Sequence, residues 1–103
     1  MRNIIARDLL VIARKLVFDE DIVFSRSADV DDAVMNHIYH ELGTYIDRIR
    51  KNEDVETYTG RRDTNSAMEI SIGVSEHEEK PAILKAVKKQ AEKLGKQYGV
   101  RVF

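Results

Sequence analysis

The sequence predicts a small α+β domain: a ferredoxin-like two-layer sandwich with the split βαβ order β-α-β-β-α-β, preceded by one extra N-terminal helix. In residues 67–75, four large apolar side chains alternate with short or charged ones, which is typical of a strand with one buried face. Two long amphipathic helical patterns elsewhere in the chain can cover that face. The length of 103 residues suits a single domain, 1–103.

The first helix is predicted from Asn3, a residue type favoured at N-caps, to Phe18. One broad face of this helix is apolar and suits packing on a core. A second, narrower apolar stripe recurs every seven residues and consists of Ile4, Val11 and Phe18. A helix with two apolar sides requires two partners, so two interpretations stay open. The stripe packs under a neighbouring loop, or it binds a protein partner or a second copy of the chain.

A short strand and a long helix are predicted next. Residues 22–25 are β-prone, although so few apolar residues also allow a helix that continues to Phe24, which would leave a three-stranded layer. The second helix is predicted from Val30 to about Lys51, because its apolar residues recur at spacings of three and four. Its N-cap candidates are Ser27 and Asp29, and its C-cap candidate is Asn52.

A hairpin with a long loop is predicted in the second half of the chain. Residues 55–59 form its first strand, and the polar segment 60–66 joins that strand to residues 67–75. Arg61 and Arg62 lie in this predicted loop, where two guanidinium groups can bind a phosphate or a partner's carboxylates. An ordinary solvated loop is the competing interpretation, although the segment is longer than a minimal turn requires.

The third helix is predicted from Pro81, which suits a first helical turn, to Tyr98, with Gly99 as its terminator. Residues 100–103 are predicted as a short closing strand. The face opposite the apolar arc is rich in lysine, and the candidates for binding nucleic acid or another anion are Lys85, Lys89, Lys93 and Lys96. A solvated surface face is the stronger interpretation, since the central strand offers no outward aromatic residue for stacking RNA bases.

The composition limits the class of protein. Hydrophobic residues make up 43% of the chain and charged residues 34%, which indicates a folded domain rather than a disordered or membrane protein. No apolar run approaches the length of a membrane span, and no signal peptide is evident. The absence of cysteine excludes disulfides and cysteine-ligated metals, so we expect a cytoplasmic protein without a cofactor.

The net charge of −1 hides an uneven distribution of charges. Residues 1–18 carry four basic and one acidic side chain, residues 19–41 carry one and seven, and residues 80–101 carry seven and one. The molecule as a whole therefore has no bias toward nucleic acid or anionic lipid, and any electrostatic role is local.

One cluster of side chains suggests chemistry. His37, His40 and Glu41 share the polar side of the second helix, and two imidazoles with a carboxylate can hold a divalent metal. The order His-x-x-His-Glu departs from the His-Glu-x-x-His of zinc proteases. Ordinary solvent-facing side chains are therefore the stronger interpretation.

No dinucleotide-binding loop, P-loop or nucleophile-elbow motif occurs in the chain. The leading hypothesis is a non-enzymatic protein-interaction or regulatory module, expected to be a homo-oligomer, that uses the Ile4, Val11 and Phe18 stripe and the acidic segment 19–32. A nucleic-acid- or phosphate-binding protein is the first alternative. A small metal-dependent enzyme on His37, His40 and Glu41 is the second.

In style, the chain resembles small phage-encoded proteins. It lacks cysteine, segregates its charges and contains near its start the run Arg-Asp-Leu-Leu-Val-Ile-Ala-Arg-Lys-Leu-Val. The resemblance implies an accessory or inhibitor protein that binds a larger partner.

Overall fold

The fold is described by a computed structural model for residues 18–27, 30–50 and 52–103. In chain order the elements are β1 (Glu20–Ser25), α1 (Asp32–Ile49), β2 (Thr57–Asp63), β3 (Ala67–Val74) and α2 (Lys80–Tyr98). They form a small α+β fold with a three-stranded antiparallel sheet. Residues 3–17 of the predicted N-terminal helix, including Ile4 and Val11, lie outside the described residues, and its predicted last residue, Phe18, is in neither a helix nor a strand.

The sheet has the strand order β1-β3-β2, and β3 is antiparallel to both neighbours. Because β3 opposes both of them, β1 and β2 run in the same direction. The register places Phe24 opposite Met68 and Ile22 opposite Ile70. The large apolar residues of β1 and β3 therefore share one sheet face, which we call the inner face.

The inner face is covered by α1 and α2, as a two-layer arrangement requires. Among the described residues, sixteen hydrophobic side chains form the buried core cluster. From the sheet come Ile22, Phe24, Met68, Ile70, Ile72 and Val74, from α1 come Met35, Ile38, Leu42 and Ile46, and from α2 come Ile83, Val87, Ala91 and Leu94, with Val55 and Val100 beside them. The alternation in 67–75 thus predicted correctly which side chains of β3 enter the core.

The first strand begins two residues earlier than predicted, and a helix continuing to Phe24 is wrong. Residues 20–25 pair along their whole length with β3. The pairing is reinforced before the strand begins, because Asp19 N donates to the carbonyl oxygen of Ile72 at 2.8 Å. Backbone pairing with a partner distant in sequence therefore outweighs the local helical alternative.

The helix α1 is shorter at both ends than predicted. Its N-cap is Asp31, whose carboxylate accepts a hydrogen bond from Val34 N at 3.0 Å, rather than Ser27 or Asp29. At the other end Arg50 is the C-cap. The predicted C-cap Asn52 instead accepts a hydrogen bond from the amide of Asp54 in the turn that precedes β2.

The strand β2 is shifted along the chain relative to the prediction. It extends through Gly60, Arg61 and Arg62 to Asp63, so these residues are not in a loop. The connection to β3 consists only of residues 64–66, and the hydroxyl of Thr64 closes it by accepting hydrogen bonds from the amides of two following residues.

The end of α2 agrees with the prediction and determines the path of the last residues. Pro81 lies in the first turn, and Gly99 ends the helix with a φ of 69°, a left-handed conformation that favours glycine. Immediately afterwards, Val100 N donates to the carbonyl oxygen of Gly95 at 2.7 Å. Since Val100 is engaged with the helix end, the predicted strand over 100–103 is reduced to a single bridge.

That bridge places the C-terminal segment beside β1. Val102 pairs antiparallel with Phe24. Val23 and Phe103 exchange two backbone hydrogen bonds, at 2.8 and 3.1 Å. In the part of the chain that the structure describes, β1 is thus flanked on both sides, and neither described helix is long and apolar enough to cross a membrane.

A polar clamp ties the start of β1 to the start of α2. Lys80 Nζ lies 2.8 Å from Asp19 Oδ1 and 2.6 Å from Glu76 Oε1. The other Asp19 oxygen accepts a hydrogen bond from Val74 N at 2.8 Å. Burial opposes the charge on Asp19, but the hydrogen bonds from Lys80 and Val74 and the charge of Lys80 outweigh it and hold the pKa of Asp19 below its usual value of 3.8.

We expect this clamp to stabilise the fold at neutral pH and to lose that effect as the Asp19 carboxylate is protonated at acidic pH. A carboxyl group whose pKa is lower in the folded state contributes stability above its unfolded pKa and loses it as pH falls through the folded value. Asp19→Asn should therefore lower the free energy of unfolding by about 1 kcal/mol at pH 7, a figure reduced for solvent screening. The difference from wild type should be smaller at about pH 2, which lies below the usual pKa of an aspartate.

Thermal melts of both proteins at the two pH values measure this effect. Asp54→Asn is the matched control, because Asp54 is exposed and forms no ion pair with a described residue. A loss for Asp19→Asn that is equal at both pH values would show that the charge of Asp19 contributes nothing.

Candidate functional site

The edge of β2 carries backbone groups that β3 does not use. Ser75 N donates to the carbonyl oxygen of Glu56 at 2.9 Å. At the other end of the ladder, Thr64 N donates to the carbonyl oxygen of Ala67 at 2.9 Å. Hydrogen-bonded pairs alternate along an antiparallel ladder, so every second residue of β2 directs its N–H and C=O away from β3. These outward residues are Thr57, Thr59, Arg61 and Asp63.

Within residues 18–27, 30–50 and 52–103, no group hydrogen-bonds to the outward N–H and C=O groups of β2. Thr59, in the middle of the strand, is exposed. An unpaired edge of seven residues is a template on which another strand can form a backbone ladder. This edge is the candidate functional site.

The side chain of Arg61 lies on the inner side of this edge, between β2 and α1. Its guanidinium donates to both carboxylate oxygens of Asp63, at 3.0 and 2.9 Å, and to Asn36 Oδ1 at 2.8 Å. The guanidinium carbon also lies 5.1 Å from the centre of the Tyr39 ring, within the range of a cation–π interaction. Arg61 therefore connects β2 to α1.

Arg62 points to the opposite, outer face of the sheet. It lies 3.0 Å from Glu69 on β3, and its side chain is 62% exposed. Neighbouring residues of a strand alternate between faces, so Arg61 and Arg62 cannot grip one phosphate together. The predicted arginine pair at a loop tip is wrong in this respect.

The outer face is nearly flat at the centre of β2. Gly60 has no side chain, and the ring of Phe18 lies over it, with one ring carbon 3.1 Å from where a Cβ would stand. Phe18 is half-buried. It is the one member of the predicted apolar stripe among the described residues, and its ring packs on the sheet of its own chain.

Tyr58 and Arg62 flank Gly60 on the outer face. Tyr58 is 40% exposed, and its hydroxyl donates to Glu56 Oε2 at 2.5 Å. Opposite Gly60 on β3, Ser71 is buried and donates to Asp21 Oδ1 at 2.7 Å. The outer face thus offers the Tyr58 ring on one side of Gly60 and the Arg62 cation on the other, with the Phe18 ring over Gly60 itself.

A groove of about 240 Å³ runs beside β2 on the inner side of the sheet. Tyr39, Gly43 and Asp47 of α1 line it together with Thr59. No other side chain of the described residues lies within 4 Å of the position of a Cβ on Gly43. In strand addition such grooves accept the alternate side chains of the added strand.

The predicted metal cluster is engaged in other contacts. His37 Nε2 lies 3.3 Å from Glu41 Oε1, and the Tyr98 hydroxyl donates to Glu41 Oε2 at 3.2 Å. Burial and the nearby Glu41 carboxylate raise the pKa of Tyr98, which keeps it a donor. In the described ranges, no group of three or more histidine and carboxylate side chains is arranged to hold a metal ion, and His40 does not join His37 and Glu41 in one.

The predicted anion-binding residues do not form one surface. The four candidate lysines are exposed on α2, which covers the inner face of the sheet, whereas Arg62 lies on the outer face. Arg61 is engaged between β2 and α1. Any anion site must therefore use the lysines without the two arginines.

Comparison with known proteins bears on the fold alone. No family model and no curated protein matches the chain. Among solved structures, a de novo designed protein, Foldit4, is similar, with a TM-score of 0.53 and 15% sequence identity over 81% of this chain and 89% of that one. This likeness fits a small two-layer α+β fold.

Proposed function

We propose that this chain is a non-enzymatic protein-interaction module, and that two copies associate by pairing their β2 strands into one continuous sheet. The observation that carries the proposal is the β2 edge, whose outward backbone groups are not hydrogen-bonded by any described residue. Edge strands are commonly blunted by being short, irregular or covered. This one is seven residues long and regular, and Thr59 at its middle is exposed.

The register of such a dimer depends on which backbone groups face outward. In an antiparallel pair centred on Gly60, Thr59 lies opposite Arg61 of the second copy, and Thr57 lies opposite Asp63 of the second copy. All four are outward residues, so each opposing pair can exchange two backbone hydrogen bonds. The strand is therefore complementary to itself in this register, as a twofold interface requires.

The side chains suit the same register. On the outer face, Tyr58 lies opposite Arg62 of the second copy, which allows a cation–π contact on each side of the axis. Gly60 lies opposite its own copy, so no side chain of either β2 strand stands at the axis. The two Phe18 rings, each over its own Gly60, then meet near the axis as an apolar centre. On the inner face Arg61 opposes Thr59 rather than another arginine.

Thr59→Pro tests whether the dimer forms through the free edge of β2. Proline removes the outward N–H and places its ring on the free edge, but the bonds from β2 to β3 remain because Thr59 does not use its amide there. We expect light scattering with size-exclusion chromatography to show a dimer for wild type and a monomer for Thr59→Pro, with dimer affinity reduced by about tenfold or more.

Thr59→Ala is the matched control, because it shortens the same side chain and keeps the N–H. It should remain dimeric, and circular dichroism should show native folding for both variants. A wild-type chain that is monomeric at high micromolar concentration, or a dimer that Thr59→Pro leaves intact, would contradict the proposal. Should Thr59→Pro fail to fold, Tyr58→Lys replaces it, because it places a second cation opposite Arg62 of the other copy in the proposed register.

We also infer that the sheet has the ferredoxin-like arrangement. The support is that β1 and β2 flank β3 in the same direction with α1 between them in sequence, and that residues 101–103 lie beyond β1. A fourth strand at that position completes the split βαβ order. The extra N-terminal helix, the contribution of Ile4 and Val11 to the dimer, and a phage-type accessory role stay predictions.

A further inference from the structure

The inner groove beside β2 carries a carboxylate next to the free edge of the strand. Asp47 of α1 is the only carboxylate among the described residues that line this groove, and Thr59 of β2 lines it as well. Asp47 is exposed, and its side chain forms no hydrogen bond or ion pair with another described residue. The groove therefore presents, beside the edge, a negative charge that no described residue neutralises.

The register of the proposed dimer brings an arginine to the same place. In the pair centred on Gly60, Arg61 of the second copy lies opposite Thr59. Residues directly opposite each other in an antiparallel pair point to the same face, with their Cβ atoms about 4.5 to 5.5 Å apart. Arg61 of the second copy therefore stands on the inner face, at the mouth of the groove that Asp47 lines.

Arg61 has N–H groups left over for a second carboxylate. Of the five N–H groups of a guanidinium, two donate to Asp63 and one donates to Asn36. One N–H on each Nη atom is thus unused by these bonds, and the side chain is 21% exposed. The donors of a guanidinium point in several directions in one plane. Arg61 can therefore keep its bonds within its own chain while it binds a carboxylate of the other copy.

Neighbouring registers of the dimer lose this juxtaposition. Outward residues of β2 also oppose outward residues when the centre of the pair moves by one residue. A pair centred on Thr59 puts Arg61 opposite Thr57, and a pair centred on Arg61 puts the two arginines opposite each other. Like charges directly opposite each other are destabilising. A contact of Asp47 with Arg61 beside Thr59 thus favours the register centred on Gly60.

We propose that Asp47 of each copy binds Arg61 of the other copy, so that the dimer contains this ion pair twice about its axis. The inference rests on the proposed dimer. It gives the free edge a preference for strands that carry a cation at the position opposite Thr59, and the β2 strand of a second copy is such a strand. Asp63 already offsets part of the charge of Arg61, and exposed ion pairs contribute little each, so the effect on affinity is moderate.

A double-mutant cycle on the dissociation constant of the dimer tests the pair, with the full chain followed by analytical ultracentrifugation. Asp47→Asn should weaken the dimer about fivefold at low ionic strength, and this difference should shrink at about 1 M salt because exposed charges are screened. In an Arg61→Gln background, the same change should alter the affinity by less than about twofold.

Glu92→Gln is the matched control, because it removes one carboxylate from an exposed position of α2 that does not line the groove. It should leave the affinity within about twofold at both salt concentrations. An effect of Asp47→Asn that is equal in both backgrounds, or no larger than that of Glu92→Gln, would overturn the ion pair. If circular dichroism shows that Arg61→Gln does not fold, the comparison of Asp47→Asn with Glu92→Gln still distinguishes the outcomes.

Failure of the ion pair is distinguishable from failure of the dimer. A monomeric wild type, or a dimer that Thr59→Pro leaves intact, would refute edge pairing and the ion pair with it. A dimer that Thr59→Pro dissociates and Asp47→Asn leaves unchanged would refute the ion pair alone.

Discussion

Gly95→Ala is expected to destabilise the fold by about 2 kcal/mol, although alanine is the better helix former. Gly95 is buried in α2, and a Cβ there would overlap Val102 Cγ2 and stand 2.6 Å from the carbonyl oxygen of Val100. Real Cβ atoms do not approach backbone so closely, and Val100 is held by its hydrogen bond to Gly95. The methyl group would therefore push the C-terminal segment off β1.

Gly43→Ala is the matched control, a glycine-to-alanine change inside the other helix. In the part of the chain that the structure describes, no side chain or distant backbone atom lies within 4 Å of the new Cβ. Helix propensity then acts alone and should raise the free energy of unfolding by about 0.5 to 1 kcal/mol. Urea denaturation of both variants measures the difference. If Gly95→Ala proved as stable as Gly43→Ala, the tight packing of residues 100–102 on α2 would be refuted.

Phe24→Ala should cost about 3 to 5 kcal/mol, much of the stability of a domain of this size. Phe24 is fully buried at the centre of the sheet, between Met68 on β3 and Val102 on the other side. Removing the ring leaves a cavity that strand backbones on both sides prevent from closing. Chemical denaturation should show a large shift of the midpoint or an unfolded chain.

Phe103→Ala makes the same chemical change at a position that is 68% exposed. The backbone hydrogen bonds of Phe103 to Val23 remain, so the expected change is within about 0.5 kcal/mol. If Phe24→Ala and Phe103→Ala lowered the free energy of unfolding by similar amounts, the burial of Phe24 in the core would be refuted.

Periodicity predicted the elements that have one clear buried face. The alternation in β3 and the three- and four-residue spacings of α1 and α2 reflect burial directly, so the inner face and most of its cover could be derived from the sequence. The ends of the helices and strands were predicted less accurately. Asp31 replaced the expected caps of α1 because several polar residues precede that helix, and the local pattern does not distinguish among them.

The candidate site was harder to predict, because strand order is a property of the whole fold. Gly60 with the charged residues after it indicated a loop, yet the same residues suit an edge strand whose outer face carries no large side chain at Gly60. The period-two repeat of Thr57, Thr59 and Arg61 was the available signal. Adjacency in sequence also suggested that Arg61 and Arg62 act together, whereas a strand sends them to opposite faces.

The pairing of residues 101–103 with β1 affects how the chain reaches this fold. Val23 and Phe103 are 80 positions apart, and β1 meets β3 only across the intervening helix and hairpin. During synthesis, both sides of the first described strand can therefore be covered only after residues 101–103 have been made. Folding of such distant pairings is slow relative to helical contacts. A ribosome-bound chain that lacks residues 101–103 would expose one edge of β1 to neighbouring nascent chains.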